Sequence, residues 1–247
     1  MLIIKGLKGL FGFLTILPIG MESMEALSKY FFLTPIVGIV LGALAGTFGY
    51  VVDMFLPQLI CGFLVLVVLE LLTGFHHMDG LLDFSDAAMA RGDTKKRLEI
   101  MHDMYTGAAA VTSGVIVVVL GGLCFGSFSG LNIIKVAIVA ETLAKESMVL
   151  MAYLGKKPSY KGSGHYVVEA MENKHAQAFA SVILSAVVGF VLIGVWFAVV
   201  LAAMGICVWI LTSFSNKTLE SVTGDVMGAT HEITRIVVLI VLIAVML

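Results

Sequence analysis

The sequence predicts an all-α fold: a polytopic membrane helix bundle of about seven transmembrane helices plus an amino-terminal interfacial helix, forming a single integral membrane domain over residues 1–247. Three observations predict it. The chain is 60% hydrophobic and 13% charged with a mean hydropathy of +1.05, whereas a soluble domain is roughly 45–50% apolar and about 25% charged. Apolar runs near the ~20 residues that a bilayer demands recur along the chain. The polar residues between these runs fall mostly into loops that share one side of the bundle.

Residues 1–20 carry Lys5 and Lys8 among Leu, Ile and Phe and end at Pro18 and Gly20. No small-residue cleavage site follows, so an interfacial or re-entrant helix is expected rather than a cleaved leader. The first span runs from Tyr30 to about Phe55, and its Gly38, Gly42, Gly46 and Gly49 recur at a spacing that admits a closely packed neighbour. A second follows from Pro57 to Thr73. Further spans are expected at about 107–127, 132–154, 176–194, 196–214 and 233–247. The fourth carries Glu141, Lys145 and Glu146 in mid-run, where charge is costly. Glu141 and Lys145 are placed i,i+4 to pair, either as a structural bridge between helices or as the lining of a polar cavity. Cys61, Cys124 and Cys207 lie singly in apolar stretches and are expected to be buried packing residues, with neither zinc nor disulfide.

Orientation follows from the basic residues. With seven spans, residues 1–29, 75–106, 155–175 and 215–232 share one side, and together with Arg235 they hold 13 of the 15 Lys and Arg residues. That side is expected to be cytoplasmic in a multi-pass cell-membrane protein. All six histidines fall there too, so chemistry is expected to face the cytosol. A net charge of −2 supplies no basic footprint for nucleic acid.

The chemistry concentrates between Glu70 and Gly107. Asp79, Asp83 and Asp86 recur at spacings of four and three, so a helix would project all three from one face. Stacked like charges repel, and a hard cation such as Mg²⁺ offsets that repulsion through oxygen ligands. A solvated charge run is the plainer reading, but solvation alone needs neither His76, His77 and Gly80 nor the second cluster of Arg97, Glu99, His102 and Asp103. Two other stretches stand out. The 155–165 loop sets Lys156, Lys157 and Lys161 beside Gly162 and Gly164, a combination that topology alone explains but that could also cradle an anion such as a diphosphate. Asp225 and Glu232, seven apart, return to one helical face and form a second acidic site, unless Asp225 serves only as a helix cap.

The string Gly-Phe-His-His-Met-Asp-Gly-Leu-Leu-Asp-Phe-Ser-Asp at 74–86, then Arg97 through Gly107, then Gly224-Asp-Val-Met-Gly-Ala229 with Glu232, resembles the cobalamin synthase family, the adenosylcobinamide-GDP ribazoletransferases. The family pattern HxDGxxDxxD falls on His77, Asp79, Gly80, Asp83 and Asp86. Pro18, Phe32-Leu-Thr-Pro35, Gly38 and Gly42 extend the likeness over most of the chain. Departures are a short chain and Ala87 where many members have Gly. The resemblance implies an Mg²⁺-dependent phosphotransferase in which α-ribazole or its 5′-phosphate attacks the diphosphate of adenosylcobinamide-GDP. The products are adenosylcobalamin or its phosphate, and GMP. That chemistry suits the residues: metal held by Asp79, Asp83, Asp86 and Asp225 would neutralise the leaving group, and His77 or Asp103 could act as general base. Arg97, Lys157, Lys161 and Glu232 are expected to contact substrate. The Asp225 and Glu232 face is expected to pack on the first acidic site, with Asp83 and Asp225 within roughly 10 Å.

The runner-up is a CDP-alcohol phosphotransferase, since Asp83-x-x-Asp86-Ala-x-x-Ala-Arg91 approaches that family's motif; Ala87 and Ile100 then stand where Gly is wanted, and Asp103 is one place out of register. An ion-coupled transporter using Glu141 and Glu146 would be expected to betray paired repeats, and no convincing one is found. A homo-oligomer is compatible with everything above.

Overall fold

The computed structural model describes residues 2–20 and 22–247, and the described residues are helices joined by short loops. In order these are α1 (Leu2–Leu14), α2 (Met24–Ser28), α3 (Thr34–Asp53), α4 (Gln58–Leu72), α5 (His76–Met89), α6 (Thr94–Met101), α7 (Ala108–Phe125), α8 (Leu131–Leu154), α9 (Ser163–Met171), α10 (His175–Ile193), α11 (Phe197–Thr218) and α12 (Gly224–Met246). Each expected span coincides with a helix. Buried apolar side chains form a contiguous cluster from Leu10 to Leu242.

The axis of the bundle is α8, in which every residue from Val139 to Val149 is buried. A helix covered all round must have neighbours on every side. On one side α3 lies against it along the glycine stripe: a Cβ on Gly42 would strike the Ala137 carbonyl, and one on Gly46 would come within 2.7 Å of Ile134 Cα. In lipid, where apolar burial drives little association, such close backbone contact is what holds helices together. On other sides α8 meets α12, α10 and α11. Cys61, Cys124 and Cys207 are buried, as expected.

By length and composition four stretches are able to cross a membrane, Phe31–Asp53, Ala108–Phe125, His175–Thr218 and Gly224–Met246, and a fifth if α4 and α5 are one bent span. The difference from seven has physical reasons. Helix α8 carries Lys135, Glu141, Lys145 and Glu146, and α4 has only 15 residues. The stretch His175–Thr218 is 44 residues long and contains two expected spans; Gly194 interrupts it at φ 63°, and the Phe197 ring packs back on Gly189. At 13 residues α1 reaches only ~20 Å, short of the ~30 Å hydrocarbon core.

The turn that matters for the site joins α4 to α5. Gly74 and Phe75 both take left-handed backbone, φ 62° and 60°, and the two helices meet at 93°. Helix α5 therefore lies across the direction in which α4 runs, and its buried face of His77, Gly80, Leu81, Phe84 and Ala87 rests on the bundle. It packs chiefly against α12 and α7.

Candidate active site

Because α5 is helical throughout, Asp79, Asp83 and Asp86 emerge together on the face opposite its buried stripe. The start of α12 is pressed against that helix. A Cβ on Gly80 would come within 2.9 Å of both Cα and the carbonyl oxygen of Asp225, and one on Gly228 within 3.1 Å of the His77 carbonyl oxygen. The two acidic stretches, far apart in sequence, thus converge. Burial, followed by the negative charges of Asp79, Asp225, Asp103 and Asp86, pushes the Asp83 carboxyl up from 3.8 to about 6. Carboxylates gathered in this way are a candidate donor set for a hard divalent cation, whose charge would offset their repulsion.

The members of the set are not equivalent. Asp86 accepts the Gly107 N–H at 2.5 Å on one oxygen and the Ala110 N–H at 3.0 Å on the other, so it caps the start of α7. Gly107 stands where a Cβ would collide with that carboxylate, which gives the Tyr-Thr-Gly end of the motif its reason. Asp103 accepts from the Tyr105 N–H at 2.9 Å in a local turn and is otherwise exposed. Asp225 accepts from the Thr223 hydroxyl at 3.3 Å, and Thr223 itself caps α12 through the Val226 N–H.

Beside the acids opens a cavity of about 500 Å³, lined by His76, His77, Asp79 and Asp225 on its polar side and by Phe13, Phe31, Met148 and Met227 on its apolar side. Two helix starts face it, Ser163–Gly164 of α9 and Gly224 of α12. They are packed so tightly that a Cβ on Gly164 would meet the Val222 carbonyl oxygen at 2.7 Å. Free N–H groups at helix starts attract anions.

His77 forms a bridge from this cavity to the bundle interior. Its ring stacks on that of His231, centroids 4.1 Å apart and 21° from parallel, and Lys145 Nζ lies 3.1 Å from Nε2. Burial, then Lys145, holds His77 well below the usual histidine range, so it is neutral at pH 7. Below it Arg235 binds the carboxylates of Glu70 and Glu232 and lies 3.3 Å from Glu141, while His231 lies 3.0 Å from Glu232 and 3.3 Å from Glu141. Three carboxylates, Glu70, Glu141 and Glu232, thus face Arg235, and the His231 ring lies between two of them.

Several expectations are refined by this geometry. Glu141 pairs with Arg235 and His231, while Lys145 turns to His77, because the α12 side chains reach Glu141 across the helix interface more directly than its own i,i+4 neighbour does. Glu232, expected to touch substrate, is fully buried under Arg235 and His231 and is part of this network. Arg97 donates to the Ala87 and Ala88 carbonyls at 2.9 and 2.7 Å, which satisfies the end of α5. Lys157 pairs with Glu169 at 2.9 Å and holds that acid below its usual range; Lys161 is exposed. In place of the lysines the loop brings Ser163 and Gly164 to the cavity. Sequence reasoning missed Glu70 and Arg235 as partners; their isolation in apolar runs was the signal, since such charges need partners. His77, His231 and Glu232 have ligand atoms within 4.8 Å of one another and could also hold a metal, but Lys145 and Arg235 already occupy that space with positive charge.

Comparison with known proteins agrees with the motif. The family model described as Cobalamin-5-phosphate synthase matches residues 6–243. Among curated relatives, the adenosylcobinamide-GDP ribazoletransferase of Methanococcoides burtonii is 31% identical over 96% of this chain and 90% of its own. The ribazoletransferase of Methanosarcina mazei is 31% identical over 95% and 90%, and that of Archaeoglobus fulgidus 31% over 94% of each. No solved structure matches. With a helical membrane bundle, converging acids on α5 and α12, and a family match running nearly from end to end, the chain belongs to the cobalamin-5-phosphate synthase family.

Proposed function

We propose that the chain transfers the adenosylcobinamide phosphate moiety from adenosylcobinamide-GDP to α-ribazole or its 5′-phosphate, releasing GMP. A ribose hydroxyl attacks the phosphorus attached to adenosylcobinamide; the bond from that phosphorus to the bridging oxygen breaks and GMP leaves with the electron pair. The observation that carries this reading is the gathering of Asp79, Asp83, Asp86, Asp103 and Asp225 beside a cavity with two helix starts. Acids alone would repel a diphosphate. Mg²⁺ held by Asp79, Asp83 and Asp225 would supply charge neutralisation of the leaving group and alignment of the reacting oxygens. The N–H groups of α9 and α12 favour the phosphate oxygens, and the apolar wall of Phe13, Phe31, Met148 and Met227 suits the methylated benzimidazole of α-ribazole. Asp86 fixes the start of α7 beside the cluster. Neutral His77, held by Lys145 and His231, orients the incoming hydroxyl; Asp103, exposed in the acidic cluster, takes its proton.

Seven crossings are part of the same proposal, with α8 spanning despite its charges because they are neutralised inside the bundle, and α10 and α11 each spanning once. Helix α1 then lies at the interface, and the acidic cluster faces the cytoplasm on the side with most Lys and Arg. Purified protein given adenosylcobinamide-GDP, α-ribazole and Mg²⁺ should release GMP and form adenosylcobalamin in equal amounts. Release of GMP without the cobalamin, or no reaction, would overturn the proposal.

A further inference from the structure

A second pocket, a wide depression of about 810 Å³ largely open to solvent, is lined by α6 and the loop before α9 and shares no lining residue with the first. It adjoins the acidic cluster, because His102 and Tyr160 on its wall both lie within electrostatic range of Asp225. Their rings stand edge to face, centroids 5.3 Å apart at 90°, and Leu98 adds an aliphatic surface beside them. Lys95 and Glu99, i,i+4 on α6, place one positive and one negative group on the same rim. Among the described residues Glu99 is paired only with Lys96 at 3.5 Å, and both side chains are more than half exposed, so that contact is readily exchanged for another.

We propose that this cavity binds the guanine base of the donor substrate, an inference that rests on the proposed function and divides its two nucleosides between the two cavities. Guanine offers two neighbouring N–H donors, at N1 and the 2-amino group, that match a carboxylate, and two acceptors, O6 and N7, that match a lysine. Glu99 takes the first pair and Lys95 the second. The base plane stacks on one of the two perpendicular rings, Tyr160 or His102, and meets the other edge-on. Adenine presents an acceptor at N1 and would leave Glu99 with an unmatched lone pair, and the benzimidazole of α-ribazole has no donor edge at all. The charged rim thus selects the donor base, and the apolar wall of the first cavity is left for the acceptor.

The test combines Glu99→Gln with a donor whose guanine is replaced by hypoxanthine, which lacks the 2-amino group. Loss of a matched hydrogen bond to a charged group costs on the order of tenfold or more in recognition, so Glu99→Gln should raise KM for adenosylcobinamide-GDP about tenfold and leave kcat and the KM for α-ribazole near wild type. Wild type should discriminate against the hypoxanthine donor, and Glu99→Gln should not. Titration of GMP and AMP into both proteins reads the same subsite without turnover: wild type should prefer GMP by about tenfold and Glu99→Gln should lose the preference. Normal turnover with unchanged KM in Glu99→Gln would overturn this inference and leave the proposed function standing. Absence of turnover in wild type would overturn the function, and the titrations would still decide the subsite: equal binding of GMP and AMP by wild type removes it.

Discussion

Gly80 of α5 and Asp225 of α12 are in backbone contact, and no side chain fits between them. That contact brings the second acidic stretch onto the first. Gly80→Ala must push the helices apart, at a cost of about 1–3 kcal/mol for overpacking, and it moves Asp225 away from Asp83. Turnover should fall by about tenfold or more, out of proportion to a modest loss of thermal stability. Wild-type turnover in Gly80→Ala would mean that the spacing of the two helices does not matter to the reaction.

Asp83 lies at the centre of the repulsion. Asp83→Asn keeps its size and removes one charge, so turnover should fall by orders of magnitude while the metal-free protein melts no lower than wild type. Added Mg²⁺ should stabilise wild type and leave the variant nearly unchanged. A variant that loses activity by unfolding would show a depressed melting temperature instead.

The pH dependence has a definite sign. In metal-free protein Asp83 binds its proton at about 6, against 3.8 when unfolded. Between those values the folded state binds more protons, so metal-free stability falls as pH rises through that window. Mg²⁺ favours the ionised form, and its stabilising effect should be larger at about pH 7.5 than at about pH 5. Thermal melts with and without Mg²⁺ at the two pH values check this; an equal shift at both would separate the metal from Asp83.

Arg235 neutralises carboxylates from three helices. Arg235→Met leaves buried acids without a partner and should cost about 3–5 kcal/mol, seen as lost folded yield in detergent. Arg235→Lys should rescue little, because a lysine cannot fork between Glu70, Glu141 and Glu232.

The proposed topology predicts that cysteines introduced into the 75–106 and 155–175 loops label only from the cytoplasmic side. Labelling of either loop from outside would require a different number of crossings.

How much of this could be read in the sequence depended on how local the interactions are. The helices, the α3 glycine stripe and the single-faced Asp79, Asp83 and Asp86 follow from periodicity, which is local. The approach of Asp225 to that face followed from topology, since both stretches were assigned to one side. The partners of Glu70 and Glu141 did not, because Arg235 and His231 reach them from another helix, α12, and periodicity says nothing about rotation in the bundle. The same limit applies to Arg97 and Asp86, whose backbone acceptors and donors exist only once the α5 and α7 ends are in place. The lysines at 157 and 161 drew attention by charge, whereas the groups that line the cavity, Ser163 and Gly164, carry none.

The central claim is that the acids of α5 and α12 form a divalent metal site, and the position of a bound ion tests it most directly. Crystals of the protein soaked in Mn²⁺, which accepts the same oxygen ligands as Mg²⁺ and scatters anomalously, should show a peak bonded to Asp83 and Asp225 with Asp79 beside it. A peak at His77, His231 and Glu232, or none at the acidic cluster, would contradict the account.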